Sequence, residues 1–275
     1  MMGTDSFIIL LVWTVVGLSS CSQKKDSILK YHPNGALKSE EISINDSLSL
    51  YRSYFEDGVL QSSVHSINGF VSGRARHYFE NGKLAQDWEL KNGLPNGKCV
   101  RYYPSGNIFT IINYKDSVNV GDAYQYYDMQ GKKIKYLTNY SIVHGKKWVN
   151  WQIQYDSLGN VKKTTTKIKE IIAPSEIKLG DSLKLEFYLE YPQYPKTKVY
   201  YGDYDEDFKL TDTSSIKGSY GSKNAVAIYI RPRKLGKETV RGILENYKVL
   251  DSLKTGFTKT EGKMIYWSYN YDVVK

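Results

Sequence analysis

Four stretches decide the fold: YHPNGAL (31–37), YFEDGVL (54–60), YFENGKL (78–84) and YYPSGNI (102–108). Set one above another, each carries a tyrosine four residues before a glycine and an aliphatic residue two after it. The tyrosines are Tyr31, Tyr54, Tyr78 and Tyr102, and the glycines Gly35, Gly58, Gly82 and Gly106 follow at steps of 23, 24 and 24 residues. Two looser copies, YDMQGKKI (127–134) and YDSLGNV (155–161), keep Tyr127 ahead of Gly131 and Tyr155 ahead of Gly159. A fixed period of this size marks a repeat architecture. Asn-Gly and Asp-Gly pairs supply the positive φ angles that tight hairpin turns require, so Asn34-Gly35, Asp57-Gly58 and Asn81-Gly82 mark chain reversals. Between them lies a second turn signal, NGFVSG (68–73), NGLPNG (92–97) and NVG (119–121). Each unit therefore holds two turns and two strands of about six to eight residues.

Composition agrees with strands. The chain has 25 Tyr against 8 Phe and 5 Trp, a bias that suits half-buried strands whose hydroxyl tips stay wet. At 275 residues and 41% hydrophobic it is long enough for two ordinary domains with a core. One hairpin cannot bury its apolar face alone, so the units must shelter one another. Six of them, with strands about 4.8 Å apart, make a ribbon about 55–60 Å long. The recurring tyrosines and the following aliphatics are expected along one packed seam, with Trp88, Trp148 and Trp151 as core or cap.

After Val161 the repeat stops, and KKTTTKIKE (162–170) leads to Pro174. GDSLKLEFYLEY (180–191) then alternates Leu183, Leu185, Phe187 and Leu189 with polar neighbours, the period-two pattern of a half-buried strand. KVYYG (198–202), AVAIYIRP (225–232), LGKETVRGILENY (235–247) and MIYWSYNYDVV (264–274) read as further strands. About seven strands without a convincing helix predict an antiparallel sandwich. The expected fold is thus all-β: an N-terminal array of antiparallel hairpin repeats over 31–168, then a β-sandwich over 169–275.

The repeat resembles the MORN repeat variant of bacteria, whose pattern runs as a glycine, a short gap, an aromatic pair, a polar-Gly turn and an aliphatic. The likeness covers residues 31–161. Some bacterial members resemble the YwqK-like antitoxin family, partner of a secreted toxin, and eukaryotic MORN repeats are linked to membranes or to protein assembly. The resemblance implies a binding module, with neutralisation of a toxin as the alternative. The C-terminal segment loosely resembles bacterial immunoglobulin-like modules, which act as spacers or adhesion units.

At the amino terminus, Phe7 to Leu18 form an apolar run of about a dozen residues, too short to span a bilayer and of the right length for a signal-peptide core. It ends in Leu18-Ser19-Ser20-Cys21, which resembles the lipobox of bacterial lipoproteins. That resemblance implies a signal peptide over 1–20, lipidation of Cys21, a tether over 21–30, and anchoring in the bacterial cell envelope, with Ser22 compatible with passage to an outer membrane. Met1 to Ser6 depart from the pattern, since they lack Lys and Arg and include Asp5, so an uncleaved anchor or a mis-chosen start codon is the competing reading. Cys99, the second of two cysteines, reads as a small apolar strand residue.

Chemistry is absent from the motifs. The formal charge of +9 is dispersed, with 20 basic against 13 acidic residues in 22–168 and 18 against 15 in 169–275. No basic stripe forms, which argues against a nucleic-acid partner and leaves attraction to anionic envelope polymers or lipid headgroups. His32, His65, His77 and His144 show no metal-ligand spacing. The acidic run GDYDEDF (202–208) would need glycine where Phe208 stands and glutamate where Ser214 stands to form a calcium loop, so it reads as a solvated hairpin tip. Without a nucleophile elbow, P-loop or dinucleotide fingerprint, no catalytic residue, metal or cofactor is expected. The expected partners are a protein, a toxin among the candidates, or an envelope polymer, with the membrane reached through Cys21.

Overall fold

The computed structural model describes residues 27–252 and 258–275. Cys21, the signal segment 1–20 and residues 21–26 of the tether lie outside the described residues. Twelve strands form one antiparallel meander in which every neighbour in sequence is a neighbour in space. They are β1 (Ser27–Tyr31), β2 (Leu37–Ser43), β3 (Leu48–Tyr54), β4 (Leu60–Ile67), β5 (Phe70–Tyr78) and β6 (Leu84–Lys91). The second half comprises β7 (Leu94–Tyr102), β8 (Ile108–Lys115), β9 (Val118–Tyr126), β10 (Ile134–Val143), β11 (Lys146–Tyr155) and β12 (Val161–Thr164). Residues 27–30, placed in the tether by the sequence, belong to β1. Strand spacing of about 4.8 Å makes the ribbon about 53 Å long.

The two kinds of turn lie on opposite edges. On one edge Gly35, Gly58, Gly82, Gly106, Gly131 and Gly159 all have positive φ, between 75° and 96°. The turn at Gly82 shows why glycine recurs: Phe79 N donates to Lys83 O at 2.8 Å, Gly82 N to Phe79 O at 2.9 Å, and Lys83 N to Asn81 Oδ1 at 3.0 Å. The last bond explains the Asn or Asp before the glycine, and the freed amide group reaches sideways. Asn34 Nδ2 donates to Glu56 O and Asn81 Nδ2 to Pro104 O, so successive turns are tied to each other.

On the other edge two consecutive residues take positive φ: Asn68-Gly69, Asn92-Gly93, Asp116-Ser117 and His144-Gly145. This is the mirror-image turn whose twist matches a hairpin. The third pair corrects the sequence expectation, because NVG (119–121) lies inside β9. Gly121 (φ 66°), like Gly73 (83°) and Gly97 (112°), sits where the ladder shifts register. That is a bulge, and the positive φ of a bulge is indistinguishable from that of a turn in sequence.

Beyond Thr164 the chain builds two facing sheets. The smaller contains β13 (Lys167–Ile172), β15 (Leu183–Glu190) and β18 (Ala225–Ile230) in the order β13-β15-β18. The larger contains β14 (Glu176–Lys178), β16 (Lys196–Tyr204), β17 (Leu210–Gly221), β19 (Gly236–Ser252) and β20 (Thr258–Val274), in the order β14-β20-β19-β16-β17. All pairs are antiparallel except β14 with β20, which is parallel. The alternating residues Leu183, Leu185, Phe187 and Leu189 face Val199, Leu244, Ile265 and Trp267 across one core. Phe187 meets Trp267 edge to face at 4.6 Å.

A seventh copy of the Tyr turn sits in this second unit. YDEDFKL (204–210) pairs Tyr204 with Leu210 after a register shift, as YFENGKL pairs Tyr78 with Leu84. Asp205 N donates to Lys209 O at 3.0 Å and Phe208 N to Asp205 O at 3.1 Å. Phe208 occupies the glycine place at φ 56°, a strained choice for an aromatic residue. Its ring is buried and meets Tyr266 edge-on at 5.1 Å. The acidic tip is therefore a docking element and not a purely solvated one: Asp207 O accepts from His144 N at 2.9 Å, and Glu206 pairs with Lys115 at 3.0 Å.

Candidate binding surface on the repeat sheet

Cross-strand partners share a face of a sheet, so the register sorts the ribbon's residues into two surfaces. One surface carries the tyrosine seam. Tyr31 pairs with Leu37, Tyr54 with Leu60, Tyr78 with Leu84, Tyr102 with Ile108 and Tyr155 with Val161. Tyr31, on the edge strand, is 59% exposed, whereas Tyr54, Tyr78, Tyr102 and Tyr155 are half-buried. In the fifth unit the seam residue is Tyr126, which pairs with Ile134 and is buried. Tyr127 instead takes the second aromatic place. Its hydroxyl donates to Tyr155 O at 2.9 Å, as Tyr103 OH donates to Tyr126 O at 2.9 Å and the His32 ring N–H to Tyr54 O at 2.9 Å. The loop here is two residues longer, one on each side of Gly131, which moves that glycine out of step with the tyrosine it serves.

Charges on the seam side are compensated. Asp87, 8% exposed, receives hydrogen bonds from Arg74 and lies 3.6 Å from Arg76. The Arg74 hydrogen bond, over the opposing effect of burial and with the nearby positive charge of Arg76, holds the Asp87 carboxyl below its ordinary range. Two units earlier Glu40 is held low by Tyr54 OH at 2.6 Å and Arg52 at 3.0 Å. A carboxylate with a lowered folded pKa stabilises the fold above its unfolded pKa, and that contribution is lost as pH falls through the folded value. Asp87→Asn is accordingly expected to cost about 1–3 kcal/mol at neutral pH, and the gap to the parent should close as pH falls through the lowered folded pKa of Asp87. Near-ultraviolet circular dichroism melts across that range measure it; a gap independent of pH would show that the ion cluster is not the cause.

The opposite surface is different. A single cross-strand row runs through Lys30, Ser39, Ser53, Ser62, His77, Gln86, Arg101, Thr110, Gln125, Tyr136, Gln154 and Lys163, one residue from each of the twelve strands. Every member can hydrogen-bond. None is acidic. The sequence rule behind the row is simple once the register is known: the residue before each seam tyrosine, and the residue two after each seam aliphatic. Sequence reasoning passed over it because serine, glutamine and histidine share no motif, and because reading Tyr127 as the fifth seam residue hides Gln125.

Across β8 to β11 the row deepens into a groove of about 340 Å³, lined among others by Thr110, Ile112, Gln125, Tyr136, Tyr140 and Gln152. Gln152 Nε2 donates to Thr138 Oγ1 at 3.0 Å. Thr110 Oγ1 in the groove floor and Trp88 Nε1, which lies on the same surface opposite Cys99, are buried with no hydrogen-bond partner among the described residues. Such a group costs about 1–3 kcal/mol while unpaired. Arg101 covers the Trp88 ring at 5.9 Å. Cys99 is buried and burial pushes its thiol up, so it serves packing and not nucleophilic chemistry.

The second unit braces the far end of the ribbon. Asn150, the bulged residue of β11, accepts from Tyr266 N at 2.9 Å, while its amide donates to Asn139 Oδ1 at 2.9 Å and Ser141 Oγ at 2.8 Å. Lys263 Nζ donates to Val149 O at 2.7 Å, with burial holding its ammonium below the ordinary lysine value. Trp148, Tyr266 and Phe208 make a run of edge-to-face contacts across the junction. Among the described residues no group of three or more His, Cys, Asp or Glu is arranged to hold a metal, and no helix is long and apolar enough to cross a membrane.

The hairpin unit now has a definite form: bulge glycine, strand, tyrosine turn, strand, asparagine turn. Residues 72–92 and 95–116 match the model of the MORN repeat variant. Each matched stretch begins beside a bulge and spans one tyrosine turn, over β5–β6 and β7–β8. The MORN repeat variant is therefore present in the middle of the ribbon, and the same turn geometry recurs on either side of the matched residues. MORN repeats are often binding or scaffold modules. No curated protein matches the chain.

Proposed function

We propose that the chain is an envelope-tethered lipoprotein that performs no catalysis and whose ribbon is a scaffold binding an extended, hydroxyl-rich envelope polymer. The observation that carries this reading is the unbroken hydrogen-bonding row from Lys30 to Lys163. Ser39 and Ser62 are buried, but from His77 to Lys163 a polymer laid across the strands meets a polar side chain about every 4.8 Å, and the groove over β8 to β11 gives it a place to sink. There the Gln125 amide is available to a ligand hydroxyl, while Tyr136 and Tyr140 offer faces for a sugar ring. Absence of acids from the row favours neutral or anionic polymers. Tethering rests on the Leu18-Ser19-Ser20-Cys21 motif. A toxin-neutralising role rests on the repeat resemblance alone, and no feature of the described residues favours it.

Two measurements test the reading. The full chain should label with palmitate in a bacterial host, and Cys21→Ser should abolish the label; a labelled mutant removes the tether. Co-sedimentation with purified cell-wall polysaccharide should weaken about tenfold in the double variant Gln125→Ala, Tyr136→Ala, a loss typical of losing central contacts. Tyr220→Ala, 75% exposed and remote on β17, should bind as the parent does. Equal binding by all three removes the polymer surface.

A further inference from the structure

The second unit holds a cleft unconnected with the ribbon face. β16 pairs with β19 from Lys196–Tyr247 to Gly202–Arg241 and then departs toward its turn. The start of β19, Lys237 to Val240, is therefore paired only with β20. Into the space left by that divergence folds the segment Arg231 to Leu235, which joins β18 to β19 and is pinned by buried Pro232. The result is a cavity of about 540 Å³, within the size range of small-molecule sites.

Its walls are strongly cationic. Lys217, Arg231, Arg233, Lys234, Lys237 and Arg241 line it, against two carboxylates, Asp203 and Glu238. Both acids are engaged: Asp203 pairs with Arg233 at 3.1 Å, and Glu238 accepts from Tyr271 OH at 2.8 Å and from Lys234 N at 3.3 Å. The other five cations form no ion pair among the described residues. Charge elsewhere in the chain is interleaved, so this concentration of one sign in a concave site is the exception. A wall of low dielectric focuses the field of such a cluster into the cleft.

We propose that this cleft binds a phosphate-bearing ligand. A tetrahedral, multiply charged oxyanion matches a mixed set of guanidinium and ammonium donors, where a single carboxylate would leave most of them unanswered. Tyr201 and Tyr271 close the inner wall. Tyr201 OH is already committed to Tyr229 O at 2.9 Å and Tyr271 to Glu238, so the wall is preset and the free donors all belong to the cations.

The test is calorimetric titration of the full chain with inorganic pyrophosphate, beside sedimentation with phosphatidylcholine vesicles that contain or lack phosphatidic acid. Saturable pyrophosphate binding that weakens with salt and falls about tenfold or more in Arg231→Glu, Lys234→Glu, but not in Lys223→Glu outside the cleft, assigns a soluble phosphate ester. Sedimentation only with phosphatidic acid, lost in the same double variant and silent to pyrophosphate, assigns a lipid headgroup. Binding of neither, or an equal loss in Lys223→Glu, overturns the proposal. The substituted side chains are exposed, so an unchanged melting curve separates lost binding from lost folding.

Discussion

Asn246→Ala is expected to destabilise the chain by about 3–5 kcal/mol, since several buried polar groups would lose their partner at once. Asn246 is fully buried on β19 and serves the chain crossing between the two units. Its Oδ1 accepts from Thr166 Oγ1 at 3.0 Å, Gln193 N at 3.0 Å and Tyr194 N at 2.9 Å. Its Nδ2 donates to Tyr194 O at 2.9 Å and Lys196 O at 3.0 Å, with Thr197 Oγ1 at 3.3 Å sharing a hydrogen. Truncation leaves Tyr194 N, Tyr194 O and Lys196 O without this partner and Gln193 N with only Thr166 Oγ1 at 3.1 Å, so the stretch 193–196 and the buried Thr166 lose their common anchor together. Asn246→Asp keeps the acceptor oxygen, loses the donor pair and places a carboxylate against two carbonyls, so it should rescue little at neutral pH and more in acid, where a protonated carboxyl can donate once. Urea unfolding followed by tryptophan fluorescence gives the free energies. A loss below about 1 kcal/mol for the alanine variant would mean that this network does not organise the crossing.

The second large effect concerns space. In Gly242→Ala a Cβ would overlap the Tyr200 carbonyl oxygen and stand 2.5 Å from the Trp267 ring. Strands β16 and β19 pass so closely here, at the pair Tyr201–Gly242, because the Trp267 indole lies over the glycine and in contact with Phe187. Backbone and a packed indole cannot yield as a flexible side chain would, so a cost of about 3 kcal/mol is expected, the upper part of the overpacking range. Gly159→Ala is the instructive comparison. That position has nothing within 4 Å of a Cβ but a φ of 96°, so its cost should be only the conformational one of about 1–2 kcal/mol. Thermal melts of the two variants separate a demand for room from a demand for conformation, and equal shifts would contradict the distinction.

These two residues bear on function because the second unit is the brace of the ribbon's far end. The groove over β8 to β11 lies beside the strands that Asn150, Lys263 and the Phe208 turn hold in place. A ribbon one sheet thick has no opposing layer to keep it flat, so its curvature there depends on what is docked against it. Losing the brace should therefore weaken the proposed polymer binding even where every member of the row is intact.

What the sequence alone determines is the local geometry of reversal. A glycine or asparagine that must adopt positive φ announces itself by its type, and so Gly35, Gly58, Gly82, Gly106 and Gly159 locate turns, a regular period implies stacking hairpins, and Leu183 to Leu189 reveal a strand by alternation. Tertiary structure decided everything that requires two distant segments to meet. NVG proved to be a bulge and Asp116-Ser117 the turn; Tyr126 displaced Tyr127 from the seam; polar β17 became a strand by pairing with β16; and Phe208 took a glycine's conformation because burial against Tyr266 offsets the strain. The polar row and the cationic cleft belong to the same class. Their residues are unremarkable one by one, and only the cross-strand register, set by one-residue bulges that shift every side chain after them, brings them onto one surface.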